Sequence, residues 1–341
     1  MATGAAGASA GRVRDVARRL LVQREAALAG FIVVFCVVLT SANASFFTVG
    51  NIEAVLLGVS VEGMIAVGMT VLLASGGFDL SVGSVLAFGG VVGGLIVLGG
   101  VPAPAAILLA VVVCAAIGVI NGFLIAKVKI NCFIVTLGAL SVVQGGVLLA
   151  GGGFGITNLP SAFTAIGQKS IATVQLPIII VIVLAIIGDF LLRRGRVFRY
   201  AYYVGSNERA ARLTGIPVER VQMLGYVLTA ALAGFAGVVQ AARFGSASVE
   251  VGQTTPLDVI AAVVIGGASL AGGSGTVLGS MLGVLLLQLI INALNLLGVA
   301  TYWQPIASGL VLIVAVGFDV LTGRFQTSRL RARLARLRSG T

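Results

Sequence analysis

Long apolar segments recur along the whole chain and constrain its fold more than any other feature. No charged residue occurs between Ala26 and Ile52, and further uncharged stretches follow at short intervals. A helix needs about 20 apolar residues to cross the roughly 30 Å hydrocarbon core of a membrane. Only 10% of the 341 residues are charged, against about a quarter in a typical soluble domain. The sequence therefore predicts an all-α polytopic integral membrane protein.

We predict about ten transmembrane helices. Glycine is abundant, with 48 residues, and its position inside the apolar segments predicts close helix–helix approach in lipid. The predicted spans cover residues 26–46, 54–74, 80–99, 104–126, 132–150, 177–192, 219–242, 256–272, 276–297 and 303–321.

The positions of the basic residues predict the orientation. With ten spans, 20 of the 22 Lys and Arg residues lie on one side of the membrane, which the positive-inside rule assigns to the cytoplasm. Both termini are then cytoplasmic, and residues 26–321 form a single transmembrane domain between basic tails 1–25 and 322–341. The second tail contains "RLRARLARLR", a basic amphipathic pattern that predicts contact with anionic membrane lipids. The net charge of +11 thus does not indicate nucleic-acid binding.

The sequence offers no residues for metal or nucleotide chemistry. It contains no histidine, and Cys36, Cys114 and Cys132 lie in or beside apolar runs without the spacing of metal ligands. No G-x-x-x-x-G-K-[ST] phosphate loop occurs. We therefore predict no metal site, no cofactor bound by this chain and no enzymatic activity of its own.

The loop 193–218 is predicted to contain a short helix outside the membrane. Ser206 or Asn207 is suited to the N-cap, Glu208 to the first turn and Gly215 to the position after the last turn. Pro217 follows, where a helix cannot continue. The residues alone leave open whether this helix is merely solvated or docks a partner.

Five motifs occur in order along the chain and carry a family resemblance. Together they closely resemble the permease subunit of ribose/xylose-type ABC sugar importers, within the superfamily that includes branched-chain amino-acid permeases. The resemblance covers about residues 50–320. The motifs are "GGFDLSVGSVLAFGG" (76–90), "FIVTLGALSVVQGG" (133–146), "GSNERAARLTGIPV" (205–218), "LDVIAAVVIGGASLAGGSGTVLGS" (257–280) and "NALNLLGV" (292–299).

The resemblance implies a type II ABC importer-like permease in the bacterial inner membrane. Its implied partners are a second permease copy, cytoplasmic ABC ATPase domains that bind Mg-ATP and are often fused in tandem, and an extracytoplasmic sugar-binding protein. The substrate would be a ribose- or xylose-like monosaccharide. The family's ATPase-coupling helix matches Ser206, Asn207, Glu208, Arg209, Ala210, Ala211, Arg212, Leu213, Thr214 and Gly215.

A carboxylate in "GGFDLSVGS" interrupts two apolar segments. Gly76 and Gly77 can end one helix, and Asp79 or Ser81 can cap the next. A role of Asp79 in gating or sugar contact is the alternative. A related stretch, "GGASLAGG" (266–273), shares the pattern G-G-x-x-L-x-x-G and also lies between two predicted spans, as an internal repeat of a transporter would.

Further polar residues lie within the predicted spans. Glu62 has no evident capping role, so we expect either contact with a water-lined pathway or an interhelical hydrogen bond. Gln288, Asn292 and Asn295 share one helix face. Their amides suit sugar hydroxyls and equally suit bonds between helices.

On the external side, Lys169, Arg243 and Glu250 are the charges available for docking a binding protein. A different class of function also stays open, in which the chain alone is an ion-gradient-driven transporter with Glu62 and Asp79 as coupling carboxylates. The helix at 206–215 favours the ABC importer, because a stand-alone transporter does not need a cytoplasmic docking element.

Overall fold

A computed structural model of the chain describes residues 24–307, 309, 310, 312–314 and 317. The predicted tails therefore lie outside the described residues, apart from Arg24 and Glu25. The helices are α1 (Arg24–Ala42), α2 (Val49–Ala74), α3 (Val82–Leu98), α4 (Ala103–Ala126), α5 (Cys132–Ala150), α6 (Ser161–Gln168), α7 (Leu176–Arg194), α8 (Arg196–Ser206), α9 (Glu208–Leu213), α10 (Val218–Phe244), α11 (Thr255–Ile265) and α12 (Val277–Leu296). A hairpin of β1 (Ser170–Ile171) and β2 (Val174–Gln175) precedes α7, and a 3₁₀ turn (Thr301–Trp303) leads into helical residues 304–307, 309, 310, 312–314 and 317.

The predicted helical membrane fold is confirmed. Among the described residues, seven helices are long and apolar enough to cross a membrane, namely α1, α2, α4, α5, α7, α10 and α12. Helix α3, helix α11 and the apolar helix that begins at Gln304 are shorter. The number of ten crossings and the cytoplasmic position of both termini stay predictions.

The predicted span 256–272 is wrong at its C-terminal end. Helix α11 ends at Ile265, and with 11 residues it is about 16 Å long, roughly half of the hydrocarbon core. Gly266 and Gly267 end it, and Gly267 adopts a φ of +106° that only glycine accepts readily. Residues 266–276 therefore form a loop between α11 and α12.

Helix α10 lies at the centre of the bundle and contacts α2, α3 and α4. Glycines make these contacts close: a Cβ on Gly237 would meet the Leu86 carbonyl of α3, and a Cβ on Gly89 would meet the Gly234 carbonyl. Nearer the N-terminal end of α10, Gly118 of α4 lies against the backbone at Tyr226. The predicted use of glycine for close helix packing is confirmed.

Helix α2 is the most buried of the long helices, with α10, α12, α7 and α11 around it. Helices α1, α4, α5 and α7 instead expose large apolar side chains on their outer faces, including Phe31, Leu108, Leu149 and Ile186. This division is typical of a membrane bundle, because lipid is as apolar as the side chains that face it.

The segment between α5 and α7 forms a structured cap. Ile156 pairs with Ala247 in an isolated antiparallel bridge, and Phe163 of α6 is fully buried. The β1–β2 hairpin follows, with Ala172 and Thr173 at positive φ in its turn. The cap therefore joins the chain after α5 to the end of α10.

Replacing Gly237 with alanine should destabilise the bundle. The new methyl group would meet the backbone of α3, which cannot move aside like a flexible side chain, and overpacking of this kind costs about 1–3 kcal/mol. Gly145→Ala in α5 is the control, because a Cβ there meets nothing within 4 Å. Thermal unfolding in detergent should show a lower midpoint for Gly237→Ala and no loss for Gly145→Ala. Equal midpoints would contradict close packing of α3 on α10.

Candidate coupling surface and translocation pathway

The predicted short helix is present as α9. The Asn207 side chain caps it by accepting a hydrogen bond from the Ala210 N–H at 3.0 Å. Gly215 follows the last turn with a φ of +80°. Ala211 is buried and anchors the helix to its own chain, whereas Leu213 is 90% exposed. Helix α9 therefore presents an apolar side chain to its surroundings.

Sequence reasoning missed α8, which immediately precedes α9. Ala201 and Val204 of α8 are buried, and Phe198 packs on the same cluster. These three residues recur at a spacing of three, which is the helical signal that could have predicted the element. The segment between α7 and α10 thus contains two consecutive helices.

Two of the three charged residues of α9, Glu208 and Arg212, form ion pairs within the chain. Glu208 accepts hydrogen bonds from Arg212 at 2.9 Å and from Lys129 at 3.3 Å, and Arg212 also binds Glu219 at 2.5 Å. The hydrogen bond from Arg212, with a further one from Lys129, lowers the pKa of Glu208 from its ordinary value. The carboxylate is thus ionised at neutral pH, and the network orients α9. Arg209 stays exposed beside Leu213.

A groove of about 420 Å³ lies between α8 and α9. Tyr203, Ala210 and Ile216 are among its lining residues, and its lining is mostly apolar. A groove of this size can accept a side chain of a partner protein. It lies next to Leu213, so α9 offers both a protruding side chain and a recess.

A junction of glycines connects α8 to the membrane helices. A Cβ on Gly205 would meet the Ala74 carbonyl at the end of α2 and the Gly273 nitrogen. The Gly273 N–H donates to the Ala74 carbonyl at 3.0 Å, and Gly272 lies against Gly76 and Gly205. The two G-G-x-x-L-x-x-G stretches therefore meet at one point, directly before α9.

Asp79 lies in the turn that follows this junction and is fully buried. Its Oδ1 accepts hydrogen bonds from the Ser81 N–H at 2.8 Å and from the Ser81 hydroxyl at 2.6 Å. Asn121 of α4 donates to the same hydroxyl at 3.1 Å, and Tyr226 of α10 donates to the Phe78 carbonyl at 3.3 Å. Asp79 stabilises the turn before α3, where Ser81 is the N-cap residue by position.

The second oxygen of Asp79, Oδ2, is buried and accepts no hydrogen bond from the described residues. A carboxylate in such surroundings is costly, and intramembrane acids usually have a functional role. Gly76, with a φ of +85°, and Gly77, which lies against the Tyr226 hydroxyl, shape the turn around it. The structure therefore places all four predicted turn residues together.

Glu62 lies where α2 meets α11 and α12. Gln288 of α12 hydrogen-bonds to its carboxyl, and the charge of Asp258 in α11 acts on it as well. The Oε2 of Glu62 is buried and has no hydrogen-bond partner among the described residues. Gln288 also packs on Gly58 of α2. Asp258, which sequence reasoning did not single out, joins this polar cluster through tertiary contact.

The other two amides of α12 bind neighbouring parts of the chain. Asn292 and Asn51 of α2 exchange hydrogen bonds at 2.7 and 3.1 Å, and Asn295 accepts from Gln304 at 2.8 Å. On the predicted shared face, Gln288 and Asn292 therefore contact α2, whereas Asn295 is exposed and contacts the segment after α12. In this conformation Asn292 and Asn295 therefore act as contacts between parts of the chain.

The three external candidates differ in their surroundings. Lys169 and Glu250 are exposed. Arg243 is half-buried, lies over the Phe244 ring at 5.1 Å and interacts electrostatically with Glu53. Gln168 donates to the Arg243 carbonyl at 3.1 Å, which brings Lys169 close to Arg243 on the cap.

The hairpin of this cap was also missed by sequence reasoning. Ile171 is 54% exposed and Val174 is 40% exposed at its tip. The signal in the sequence was weak, because the turn residues Ala172 and Thr173 are neither glycine nor asparagine.

Comparison with known proteins shows the family to which this chain belongs. The family model for the permease component of the branched-chain amino acid transport system matches residues 51–316. The ribose import permease RbsC of Escherichia coli K12 is 37% identical over 84% of this chain and 91% of its own length. RbsC of Bacillus subtilis is 37% identical over 84% and 89%.

A further relative is the L-arabinose ABC transporter permease AraH of Azospirillum brasilense, which is 36% identical over 85% of this chain and 86% of its own length. No solved structure matches the chain. The resemblance seen in the five motifs is confirmed, and the chain belongs to the family of ABC transporter permease components, among permeases of the ribose type.

Proposed function

We propose that this chain is the membrane-spanning permease of an ATP-driven importer for a pentose-like monosaccharide. The observation that carries the proposal is the family membership over residues 51–316. The named relatives import ribose and L-arabinose, both of which are pentoses, and this supports a pentose more than any other solute. Xylose, which the motifs also suggested, receives no support from the relatives named.

The proposal includes the parts that such a permease needs. Two copies of the chain form the pathway in a bacterial inner membrane, a binding protein delivers the sugar from outside, and an ABC ATPase with Mg-ATP binds α9 from the cytoplasm. Family membership disfavours the stand-alone gradient-driven transporter.

A pull-down of the chain from its native membrane in mild detergent tests the assembly. We expect a phosphate-loop ATPase to co-purify with it. ATP-dependent uptake of radiolabelled ribose and L-arabinose by the reconstituted complex then tests the substrate. If the chain alone concentrated sugar in liposomes on an ion gradient without ATP, the importer proposal would be wrong.

In this proposal the ATPase binds at Leu213 and at the groove between α8 and α9. Glu208 and Arg212 are engaged with Lys129 and Glu219, so they hold α9 in place. Burying one exposed leucine side chain contributes about 1.5–3 kcal/mol. This is a substantial part of the free energy of binding at an interface.

Leu213→Asp should therefore release the ATPase without unfolding the permease. A charged side chain at the centre of an apolar contact loses its hydration and opposes binding. Leu297→Asp is the control, because Leu297 is also exposed, at 60%, but follows the far end of α12. The amount of ATPase retained in the pull-down should fall at least tenfold for Leu213→Asp and stay unchanged for Leu297→Asp. Full retention in both variants would place the docking contact elsewhere.

Coupling passes from α9 through the glycine junction to the Asp79 turn in this proposal. Movement of α9 displaces α8, and Gly205 of α8 contacts the end of α2 at Ala74. The turn that carries Asp79 begins two residues later. We propose that this turn gates the cytoplasmic end of the pathway.

Gly205→Ala should uncouple ATP hydrolysis from uptake. Its methyl group would meet the backbone at Ala74 and Gly273, so the junction must open, while Leu213 stays available to the ATPase. Uptake per ATP hydrolysed should fall at least tenfold with the ATPase still bound. The control is Gly138→Ala, where a Cβ meets nothing within 4 Å. Normal coupling in Gly205→Ala would exclude the junction as the transmitting contact.

Glu62 is the proposed pathway residue, together with Gln288. Its carboxyl lies among α2, α11 and α12 and has one oxygen without a hydrogen-bond partner among the described residues, so it can accept a sugar hydroxyl when the helices separate. A carboxyl group offers two oxygen acceptors, whereas an amide of the same shape offers one.

Glu62→Gln should thus fold normally and lose most sugar uptake, at least tenfold. Asn292→Ala is the contrasting variant, because Asn292 bonds to Asn51. It should lower the unfolding temperature and leave uptake per folded molecule unchanged. Uptake and thermal unfolding measured on the same preparations distinguish the two effects. Wild-type uptake by Glu62→Gln would remove Glu62 from the pathway.

A further inference from the structure

A cavity of about 580 Å³ opens on the outer face of the bundle between α7 and α12. Its volume lies in the range of about 300–1,000 Å³ that is usual for small-molecule sites. Ile182, Ile186 and Phe190 line it from α7, and Leu278 and Met281 line it from α12. Ile182, Ile186, Phe190 and Leu278 are each at least half exposed. The cavity therefore has apolar walls that face the lipid.

One end of this cavity is polar. Arg193 and Arg194 line it at the end of α7, together with Asp189. The Arg193 Nε donates to the Asp189 Oδ2 at 2.7 Å, which leaves the terminal nitrogens of the guanidinium available. The Asp189 Oδ1 is buried and has no hydrogen-bond partner among the described residues. The polar end thus offers two cationic groups and one hydrogen-bond acceptor.

The length of the cavity matches one leaflet of a membrane. Ile182 and Arg194 are 12 positions apart on α7, a rise of about 18 Å. Half of the hydrocarbon core is about 15 Å thick. In the orientation of the proposed function, Arg193 and Arg194 lie at the cytoplasmic surface and Ile182 lies near the membrane centre.

We infer that this cavity binds a phospholipid of the cytoplasmic leaflet whose headgroup carries both an anionic phosphate and hydroxyl donors. Its acyl chain lies along Ile182, Ile186 and Met281. Its phosphate binds Arg193 and Arg194, and a rotation of the partly exposed Asp189 side chain lets a headgroup hydroxyl donate to Oδ1. Basic pockets between membrane helices on the cytoplasmic side are suited to such headgroups.

This ligand satisfies every polar group at the end of the cavity. The apolar face of a second copy would cover the walls but would leave the two arginines and the Asp189 oxygen without partners. A free phosphate would bind the arginines but would leave the apolar walls unfilled. Phosphatidylglycerol combines the acyl chain, the charge and the hydroxyl donors.

Native mass spectrometry of the full-length chain with added phosphatidylglycerol or phosphatidylcholine tests the proposal. We expect one phosphatidylglycerol per chain to survive activation that removes phosphatidylcholine, and glycerol 3-phosphate not to displace it. Arg193→Gln with Arg194→Gln should lower retention of phosphatidylglycerol at least tenfold. The matched control is Arg196→Gln with Arg199→Gln, because both arginines are exposed nearby and neither lines the cavity.

Ala185→Trp provides a second test that keeps the charges intact. Ala185 lines the apolar part, so a large ring there should expel the acyl chain and abolish retention. Equal retention of phosphatidylglycerol and phosphatidylcholine would overturn the proposal. So would an equal loss of phosphatidylglycerol in the control pair, because the effect would then come from the overall positive charge of the surface and not from this cavity. Disulfide cross-linking of two copies through Ile186→Cys would show that a second copy covers the cavity. None of these readouts depends on sugar uptake, so they fail or succeed independently of the proposed function.

Discussion

Direct backbone contact through glycine is the constraint on which this structure depends. In a bilayer no hydrophobic force drives apolar helices together, since lipid is as apolar as they are, and association depends on close packing. Gly234 and Gly237 of α10 and Gly89 of α3 remove the side chains that would separate the two helices. Helix α10 can therefore occupy the centre of the bundle, and the remaining helices arrange around it and α2.

The same close contact positions the polar groups. Asp79 is tolerated in a buried turn because Ser81 saturates one of its oxygens and Asn121 fixes the Ser81 hydroxyl in turn. Glu62 is held by Gln288, which reaches it because Gly58 leaves room for the amide. Each carboxyl keeps one oxygen without a hydrogen-bond partner among the described residues. The bundle thus satisfies the hydrogen-bonding capacity of these acids only in part, which is why we propose them for the gate and the pathway.

The sequence predicted the features that are set locally. The apolar segments predicted the helical membrane fold. Asn207 and Gly215 predicted the bounds of α9, because helix capping depends only on neighbouring residues. The C-terminal end of α11 was misjudged, since an apolar run does not show by itself where a glycine pair will end the helix. The pairing of Glu208 with Lys129 joins residues 79 positions apart, and no local pattern contains it. The approach of Asp258 to Glu62 likewise depends on tertiary packing.

The glycine junction has a mechanical consequence. Gly205, Gly272 and Gly76 bring the backbones of three segments into contact, and the Gly273 N–H bonds to the Ala74 carbonyl. The three backbones contact one another without intervening side chains, so no flexible side chain lies between them. A displacement of α9 is therefore not absorbed by side-chain rearrangement at the junction. In the proposed function it would pass to the end of α2 and to the Asp79 turn, where Tyr226 and Asn121 connect the turn to α10 and α4. The proposed coupling thus needs no side chain that reaches from α9 to the centre of the bundle, because a chain of backbone contacts joins the two.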